Sequence, residues 1–396
     1  MKWRFSSILF LLSMAVAGSG CVYDYEPKEI STRAAENSIV VIDGDIAVGS
    51  ITTIRVNITE PLIKGEEAVL PLGASVWVEE EGGSIYSGVE KEDEVNAFEI
   101  NTTGLSLQGR YRLGVSIPDR GEYLSEFRGV LITPPIDSIT RSITPDNLTA
   151  YIEVTAHKEN TGEADSSRLY CKWNYEENWE SPSVYAPSIE WDRKFQMVVE
   201  LSEEEKGERH FCFSESVSSE VLIGNTEKLT ENRIYKQIIA KIPNNDSRAK
   251  SLYSIKVSQQ ALDKDAYVYW EVMRRNSSDI GGLFSSQPTE VVGNIKNVSN
   301  PGEQVVGYIN VATVQTRRAF IDWGETDFYK SGCVMTRVPQ GFDFVVIMNS
   351  YVSSGNRLVF RTDEGALWGS TVECVDCRLH SNSTKPEWWP NDKYGN

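Results

Sequence analysis

Alternation of apolar and polar residues constrains the fold of this chain more than any other feature of its sequence. The segment RYRLGVSI, residues 110–117, alternates strictly, and its apolar members are Tyr111, Leu113, Val115 and Ile117. Successive side chains of a strand point to opposite faces of a sheet, so these four residues share one face. The pattern predicts an antiparallel strand with one face buried and the other in water.

Similar segments, separated by turn-forming residues, run along most of the chain, and we predict each to be a strand. They are IVVIDGDI, TTIRVNIT, ASVWVEE, AFEIN, EYLSEFRGVLI, LTAYIEVTAH, RLYCKWNYEENW, KFQMVVEL, RHFCFSES, IYKQIIAKI, LYSIKVSQQ, QVVGYINVAT, RRAFIDW, DFVVIMNSYV and RLVFRTD. The acidic run at residues 203–205 is predicted to be a solvated loop or turn.

One segment has a helical period instead. Asp263 is a suitable N-cap for KDAYVYWEVMRRN, residues 264–276. Ala266, Tyr267, Trp270 and Met273 form an apolar stripe on that helix, which we expect to pack against a sheet.

Two prolines in ITPPID, residues 132–137, mark a boundary because proline cannot donate a hydrogen bond to a strand ladder. We therefore predict a mainly β protein of two domains. The first is an immunoglobulin-like or transthyretin-like β-sandwich over residues 38–133. The second is a larger β-rich domain with one short helix over residues 134–396.

The N-terminus has the features of a secretory signal. Lys2 and Arg4 precede an apolar run of ten residues, 8–17, which is shorter than the roughly 20 residues that a membrane-spanning helix needs. Small residues then lead to Cys21, a pattern similar to the bacterial lipoprotein box. We predict a signal peptide over residues 1–20, acylation of Cys21 and a flexible tether over residues 21–37. The alternative is an ordinary signal peptide cut near Gly20, which leaves Cys21 as a normal thiol.

The charge of the chain excludes one class of partner. It has 57 acidic residues against 39 lysines and arginines, a formal net charge of -18. Nucleic-acid binding depends on basic residues that neutralise phosphates, so we expect no nucleic-acid partner. Anionic lipid headgroups would repel such a chain, so the lipid anchor must provide membrane attachment.

Catalytic signatures are absent from the sequence. It has three histidines and no Gly-x-Ser-x-Gly motif. The adjacent acids Glu176 and Glu177 would point to opposite faces of a strand and so would not act as a pair. We expect a protein that is not an enzyme, with no catalytic residues, no cofactor and no metal.

Five cysteines follow Cys21, and an exported protein is expected to form disulfides from them. We predict a bond between Cys171 and Cys212, and a bond from Cys333 to one of the two tail cysteines, Cys374 or Cys377. One cysteine then stays unpaired. Two alternatives are open: a tetrahedral zinc site of Cys374, Cys377, His380 and Cys333, or a redox-active Cys-x-x-Cys pair.

Aromatic residues give a hint of binding. Trp173, Tyr175 and Trp179 fall on one face of an extended segment. An exposed row of this kind would stack on sugars or hold a partner protein, whereas a buried row would belong to a sandwich core. In the tail, Trp388 and Trp389 are expected to hold the chain terminus against the domain.

Three segments carry a family resemblance: residues 253–297, VVGYINVA at 305–312 and CVDCRLHSNSTKPEWWP at 374–390. They resemble the domain-of-unknown-function family 4249 of Bacteroidetes lipoproteins. The resemblance implies an outer-membrane lipoprotein, often encoded beside a TonB-dependent transporter. It implies a non-catalytic accessory of that transporter, which captures or presents a nutrient. The alternative function is a structural adhesin or surface-assembly subunit.

The orientation on the membrane is read from the residues after Cys21. The acids Asp24, Glu26 and Glu29 look like the export signal of surface lipoproteins. We therefore expect display at the cell surface, with the periplasmic face of the membrane as the alternative.

Overall fold

The computed structural model describes residues 38–59, 71–159, 168–278, 292–324 and 326–390. The predicted signal peptide, Cys21 and the tether lie outside the described residues. Within them the chain is mainly β, as the sequence predicts. No helix in these ranges is both long and apolar enough to cross a membrane.

The strands up to residue 133 are β1 (Val40–Gly44), β2 (Ile46–Val48), β3 (Ile51–Ile58), β4 (Ser75–Glu80), β5 (Ile85–Ser87), β6 (Val89–Glu90), β7 (Ala97–Asn101), β8 (Arg110–Ile117), β9 (Gly121–Ser125) and β10 (Arg128–Gly129). The later strands are β11 (Ile136–Ile143), β12 (Thr149–His157), β13 (Tyr170–Glu180), β14 (Ile189–Asp192), β15 (Met197–Glu200), β16 (Phe213–Val217), β17 (Leu222–Asn225), β18 (Arg233–Pro243), β19 (Leu252–Ala261), β20 (Ile295–Asn297), β21 (Val305–Val306), β22 (Val311–Asp322), β23 (Thr336–Arg337), β24 (Asn356–Arg361) and β25 (Leu367–Thr371). The helices of the described ranges are α1 (Glu203–His210), α2 (Lys264–Ser278), α3 (Phe344–Ser353) and α4 (Val372–Val375), with 3-10 turns at Ser247–Ala249 and Cys377–Leu379.

The first β-sandwich consists of two sheets, with strand orders β21-β1-β3-β7-β6 and β20-β9-β8-β4-β5. The prediction for residues 110–117 is confirmed, because β8 buries its four alternating apolar side chains in the core between these sheets.

Residues far beyond the proline boundary complete this sandwich. Strand β20 pairs with β9, and β21 pairs with β1. Ile295, Ile309 and Val311 are part of the same core. The expected boundary at residue 133 therefore does not separate two self-contained units.

The second part of the fold places a three-stranded sheet, β11-β12-β18, against a sheet of order β16-β13-β19-β22-β2. Their facing apolar side chains form one buried cluster, which includes Ile152, Trp173 and Tyr253. Because β2 belongs to the first third of the chain and pairs in parallel with β22, this sheet also crosses the expected boundary. A buried ion pair of Lys172 with Asp45 adds a polar contact at the same junction.

Helix α2 confirms the sequence prediction. The carboxylate of Asp263 accepts a hydrogen bond from the backbone N–H of Ala266 at 2.8 Å, which caps the first turn. Ala266 and Tyr267 are buried against Tyr170 and Ile223 of the sheet.

Two segments differ from their predictions. DFVVIMNSYV was expected to be a strand but forms α3, which begins after Asp343 and buries Met348 against Leu358 and Leu367. Short apolar runs do not distinguish a buried strand from a helix, and here the cap and the packing decide. The acidic run at residues 203–205 is the first turn of α1, because Ser202 and Glu205 form a reciprocal capping box.

Candidate functional site

Two disulfides fix the C-terminal tail of the described chain. They join Cys212 to Cys377 and Cys333 to Cys374, each with a Cα–Cα distance of 5.8 Å. The predicted bond from Cys333 to a tail cysteine is therefore confirmed. The zinc and redox alternatives do not fit, because both tail sulfurs are bonded to distant cysteines.

The predicted bond between Cys171 and Cys212 is wrong. Cys171 lies near the start of β13, opposite Gly224 and Ala261, with its free thiol buried in the core. Cys212 lies beside Ser181, since its carbonyl oxygen accepts a hydrogen bond from the Ser181 N–H. Ser181 is ten residues after Cys171, just beyond the end of β13. At about 3.3 Å per residue the two cysteines are roughly 30 Å apart, which no disulfide can bridge. Burial raises the pKa of the Cys171 thiol.

The tail is also held by backbone and aromatic contacts. Asn382 exchanges two backbone hydrogen bonds with Phe213, at 2.7 and 2.9 Å. The indole N–H of Trp389 donates to the Glu180 carboxylate at 3.0 Å, and its ring meets Phe213 edge-on. The predicted anchoring role is confirmed for Trp389, whereas Trp388 is exposed and carries the Arg318 guanidinium over its ring at 3.7 Å.

The aromatic row is buried, which is the sandwich-core alternative, so the ligand-binding role of an exposed row does not apply to it. Trp173 is 0% exposed, and its indole N–H donates to the Gln259 side chain at 2.7 Å. Tyr175 and Trp179 are partly buried against the same core. The sheet β11-β12-β18 covers this face of β13, so the row packs as a sandwich core. Trp179 stands at the end of the row and there lines a cleft.

This cleft has a volume of about 430 Å³ and lies between the ends of β13 and β16 and the disulfide-linked tail. We call it the tail groove. Its lining includes the aromatic, hydroxyl and basic side chains of Trp179, Ser183, Ser214, Lys250, His380 and Ser381, and the three carboxylates of Glu215, Glu373 and Asp376. A neighbouring cavity of about 560 Å³ shares four lining residues with it, Ser214, Glu215, His380 and Ser381.

Serine hydroxyls form one wall of the tail groove. The Oγ atoms of Ser214 and Ser381 are 2.7 Å apart, so a strand residue and a tail residue meet through a hydrogen bond. Ser181 extends this pair at 3.4 Å from Ser214. Hydroxyls both donate and accept hydrogen bonds, so this wall suits a ligand rich in polar groups of both kinds.

A second hydroxyl is paired with a histidine. Ser183 Oγ lies 2.9 Å from His210 Nδ1 and also donates to the carbonyl oxygen of Tyr185 at 3.0 Å. Because the serine proton is directed at that carbonyl, His210 Nδ1 serves as the donor to Ser183 and not as its base. Burial lowers the pKa of His210 below its ordinary value, and a hydrogen bond to the backbone of Ser183 partly opposes that shift.

The opposite wall is positioned by a buried charge cluster. Glu177 is only 3% exposed, accepts a hydrogen bond from the hydroxyl of Tyr253 at 2.7 Å and lies 3.2 Å from the Arg248 guanidinium. Asp246 binds the same guanidinium at 2.8 Å and caps the 3-10 turn. The turn is thereby fixed over the end of the sheet, and Lys250 follows it directly. Burial, together with the Glu177 charge, raises the pKa of Tyr253 well above its ordinary value.

Lys250 is a half-buried lysine whose ammonium lacks a carboxylate partner among the described residues. Its ammonium lies 5.6 Å from the centre of the Tyr329 ring, and in the part of the chain that the structure describes it forms no ion pair. Burial lowers its pKa. By contrast, Asp376 on the tail is held by the guanidinium of Arg378 at 2.9 and 3.0 Å. Burial opposes the charge of Asp376, but these bonds outweigh it and lower the pKa of the carboxyl.

Sequence reasoning missed the tail groove because its walls come from segments up to about 200 residues apart. The serines carry no spacing motif, and the sequence pointed to this region through single residues, the tail cysteines, His380 and Trp179, without showing that they meet. Among the described residues, no three His, Cys, Asp or Glu side chains are grouped so that they could hold a metal ion.

Comparisons with known proteins give a family and little else. No curated protein matches the chain. It is weakly similar to the crystal structure of the chicken CNTN1 FN1-FN3 domains, with 8% identity, 57% of this chain covered and a TM-score of 0.16. The chain spans 62% of the length of that structure, and a similarity this low supports no argument. The family described as "Domain of unknown function (DUF4249)" matches residues 22–318, and the chain therefore belongs to that family.

Proposed function

We propose that this protein is a non-catalytic accessory lipoprotein of the outer membrane that captures or presents a nutrient for a TonB-dependent transporter. Acyl chains on Cys21 hold it at the membrane, with the body displayed at the cell surface. The tail groove is the ligand site. The observation that carries the proposal is a polar cavity built on a sheet end and fixed by two disulfides.

The construction of the groove favours binding over turnover. Binding sites are largely pre-formed concave surfaces with a few placed polar groups, and the tail groove has this form. Its disulfides, the Asn382 backbone pair and the buried Trp389 keep the walls in place without a ligand. Nucleophilic catalysis needs a base that accepts the hydroxyl proton, and the Ser183–His210 pair is arranged the other way.

The sequence pattern at residues 1–21 supports the proposed anchor. One acyl chain holds a protein only marginally, whereas a bacterial lipoprotein carries several. The net charge of -18 would keep the body away from anionic headgroups, so the anchor and a protein partner would set its position.

The test is purification of the natively expressed lipidated protein from outer membranes, with mass spectrometry of what accompanies it. We expect a TonB-dependent transporter in stoichiometric amounts. A Cys21→Ala variant, which cannot be acylated, is expected to lose the membrane and the transporter together. Homopolymers without a transporter would support the adhesin alternative and contradict the proposal.

A further inference from the structure

Strand β16 lies at the edge of its sheet, and its pairing with β13 leaves half of its backbone groups free of that strand. The carbonyl oxygen of Cys212 accepts from the Ser181 N–H at 2.8 Å, and the Ser218 N–H donates to the Tyr175 carbonyl oxygen at 2.9 Å. Hydrogen-bonded positions alternate along an antiparallel strand. The odd-numbered residues of β16 therefore direct their N–H and C=O groups away from β13, toward the open edge.

The tail covers the first of these outward residues and not the others. Phe213 exchanges two backbone hydrogen bonds with Asn382. Before Asn382 the tail is folded into the 3-10 turn at Cys377–Leu379 and does not extend along the strand. No described residue bonds to the outward backbone groups of Glu215 or Val217. An unpaired row of this kind is a template for another strand.

A cavity lies beside this edge. It is the neighbouring cavity of about 560 Å³, lined by β16 residues 213–215 on one side and by Arg378 and residues 380–383 of the tail on the other. The free backbone groups recur at every second residue, a spacing of about 7 Å, which is the repeat of a second extended chain. The edge and its cavity therefore fit a peptide strand.

The side chains of the edge define the partner further. Glu215 is exposed and forms no ion pair within the described ranges, and its carboxylate lies 3.5 Å from the side-chain amide of Asn178. Val217 is 71% exposed. Residues directly opposite each other in an antiparallel pair interact, so a basic residue suits Glu215 and an apolar residue suits Val217. A second copy of this chain suits the edge poorly, because each copy carries a net charge of -18.

We propose that the edge of β16 at Glu215–Val217 binds an extended segment of a partner protein by antiparallel strand addition. The segment places a basic residue opposite Glu215 and an apolar residue opposite Val217. The inference goes beyond the proposed function and does not depend on it, because it assigns a protein-binding edge beside the tail groove.

The test is isothermal titration of the full-length protein with the end-blocked peptide TVTKT, whose valine aligns with Val217 and whose lysine aligns with Glu215. We expect saturable binding. N-methylation of the valine and lysine amides removes the two donors that face the edge and should weaken binding at least about tenfold. The matched control peptide is N-methylated on its third and fifth residues, whose amides face away from the edge, and should keep its affinity.

Variants of the strand test the same contacts from the protein side. Val217→Pro removes an outward N–H and leaves the ladder with β13 intact, since edge strands tolerate proline. It should weaken TVTKT binding about fivefold, whereas Val217→Thr, which keeps the N–H and the branched shape, should not. Glu215→Lys should weaken TVTKT about threefold and strengthen TVTET by a similar factor. A thermal unfolding curve for each variant separates a binding defect from a folding defect.

Absence of saturable binding, equal weakening by the two methylation patterns, or an unchanged Val217→Pro variant would each overturn the inference. A concentration-dependent dimer that Val217→Pro abolishes would place a second copy on the edge and would also overturn it. The proposed function fails separately. A membrane purification without a transporter would contradict the accessory role and would leave the peptide result unaffected.

Discussion

At the scale of single residues, the strand β13 carries charge on both faces. Glu176 is exposed beside Lys256, whereas Glu177 faces the core and is almost fully buried. The prediction that these adjacent acids point to opposite faces is confirmed. Glu177 is stable there because Arg248 and the hydroxyl of Tyr253 compensate its charge.

Loss of Arg248 is therefore expected to be costly. Arg248→Met leaves the Glu177 carboxylate buried with one hydroxyl partner, and breaking a buried pair in this way costs about 3–5 kcal/mol of unfolding free energy. Urea denaturation followed by tryptophan fluorescence measures the loss. Lys256→Met, which breaks an exposed pair, should cost less than about 1 kcal/mol. Equal losses in the two variants would show that Glu177 does not depend on Arg248.

His210 gives a pH dependence with a defined sign. Burial holds the pKa of its imidazole below the ordinary value of 6.5. Below about pH 6.5 the unfolded chain therefore binds more protons at this residue than the folded chain does. The unfolding free energy should fall as the pH drops below about 6.5. Urea midpoints at pH 7.5 and pH 5.5 measure this fall, and His210→Gln should show a smaller one. Parallel pH profiles for both proteins would contradict the prediction.

At the scale of secondary-structure elements, the apolar pattern of residues 343–352 does not distinguish a strand from a helix, and the N-cap and the packing of α3 make it a helix. The segment of α3 is rich in valine and isoleucine, which favour strands. It is a helix because Asp343 accepts a hydrogen bond from the backbone N–H of Val346 at 3.1 Å, and because the helix fits against β24 and β25. Tertiary packing overrides a weak local preference here.

Removal of the α3 cap tests this explanation. Asp343→Ala leaves backbone N–H groups of the first turn without an acceptor and should cost about 0.5–2 kcal/mol. Asp343→Ser keeps a capping oxygen and is the matched control. Urea denaturation of both variants measures the difference, and an Asp343→Ala protein as stable as the control would contradict a role for the cap.

At the scale of the whole molecule, the two parts of the fold are interleaved. The chain returns from α2 to add β20 and β21 to the first sandwich, and then enters the second part as β22. Loop closure becomes more costly only slowly with length, so even Val40 of β1 and Val305 of β21, about 265 positions apart in the sequence, can still pair. The first sandwich therefore depends on residues that the proline boundary had assigned to the second domain.

A fragment of residues 38–133 is expected not to fold cooperatively, because it lacks β20, β21 and the buried Ile309 and Val311. Circular dichroism during urea titration should show no sharp transition. The same fragment joined by a flexible linker to residues 292–313 should regain one. Cooperative unfolding of the short fragment alone would show that the later strands are dispensable.

The sequence by itself determined the β class, most strands, the capped helix α2 and the attachment of the tail through Cys333. These depend on local periodicity and capping, which are visible within about ten residues. Only the tertiary structure decided that Cys212 pairs with Cys377, that Trp173 is covered and that residues near 300 complete the first sandwich. It also decided that Lys250, Ser214 and Ser381 line one groove. The physical reason is that strand pairing and sheet packing bring distant segments together, and the residue pattern of one strand does not specify which other strand pairs with it.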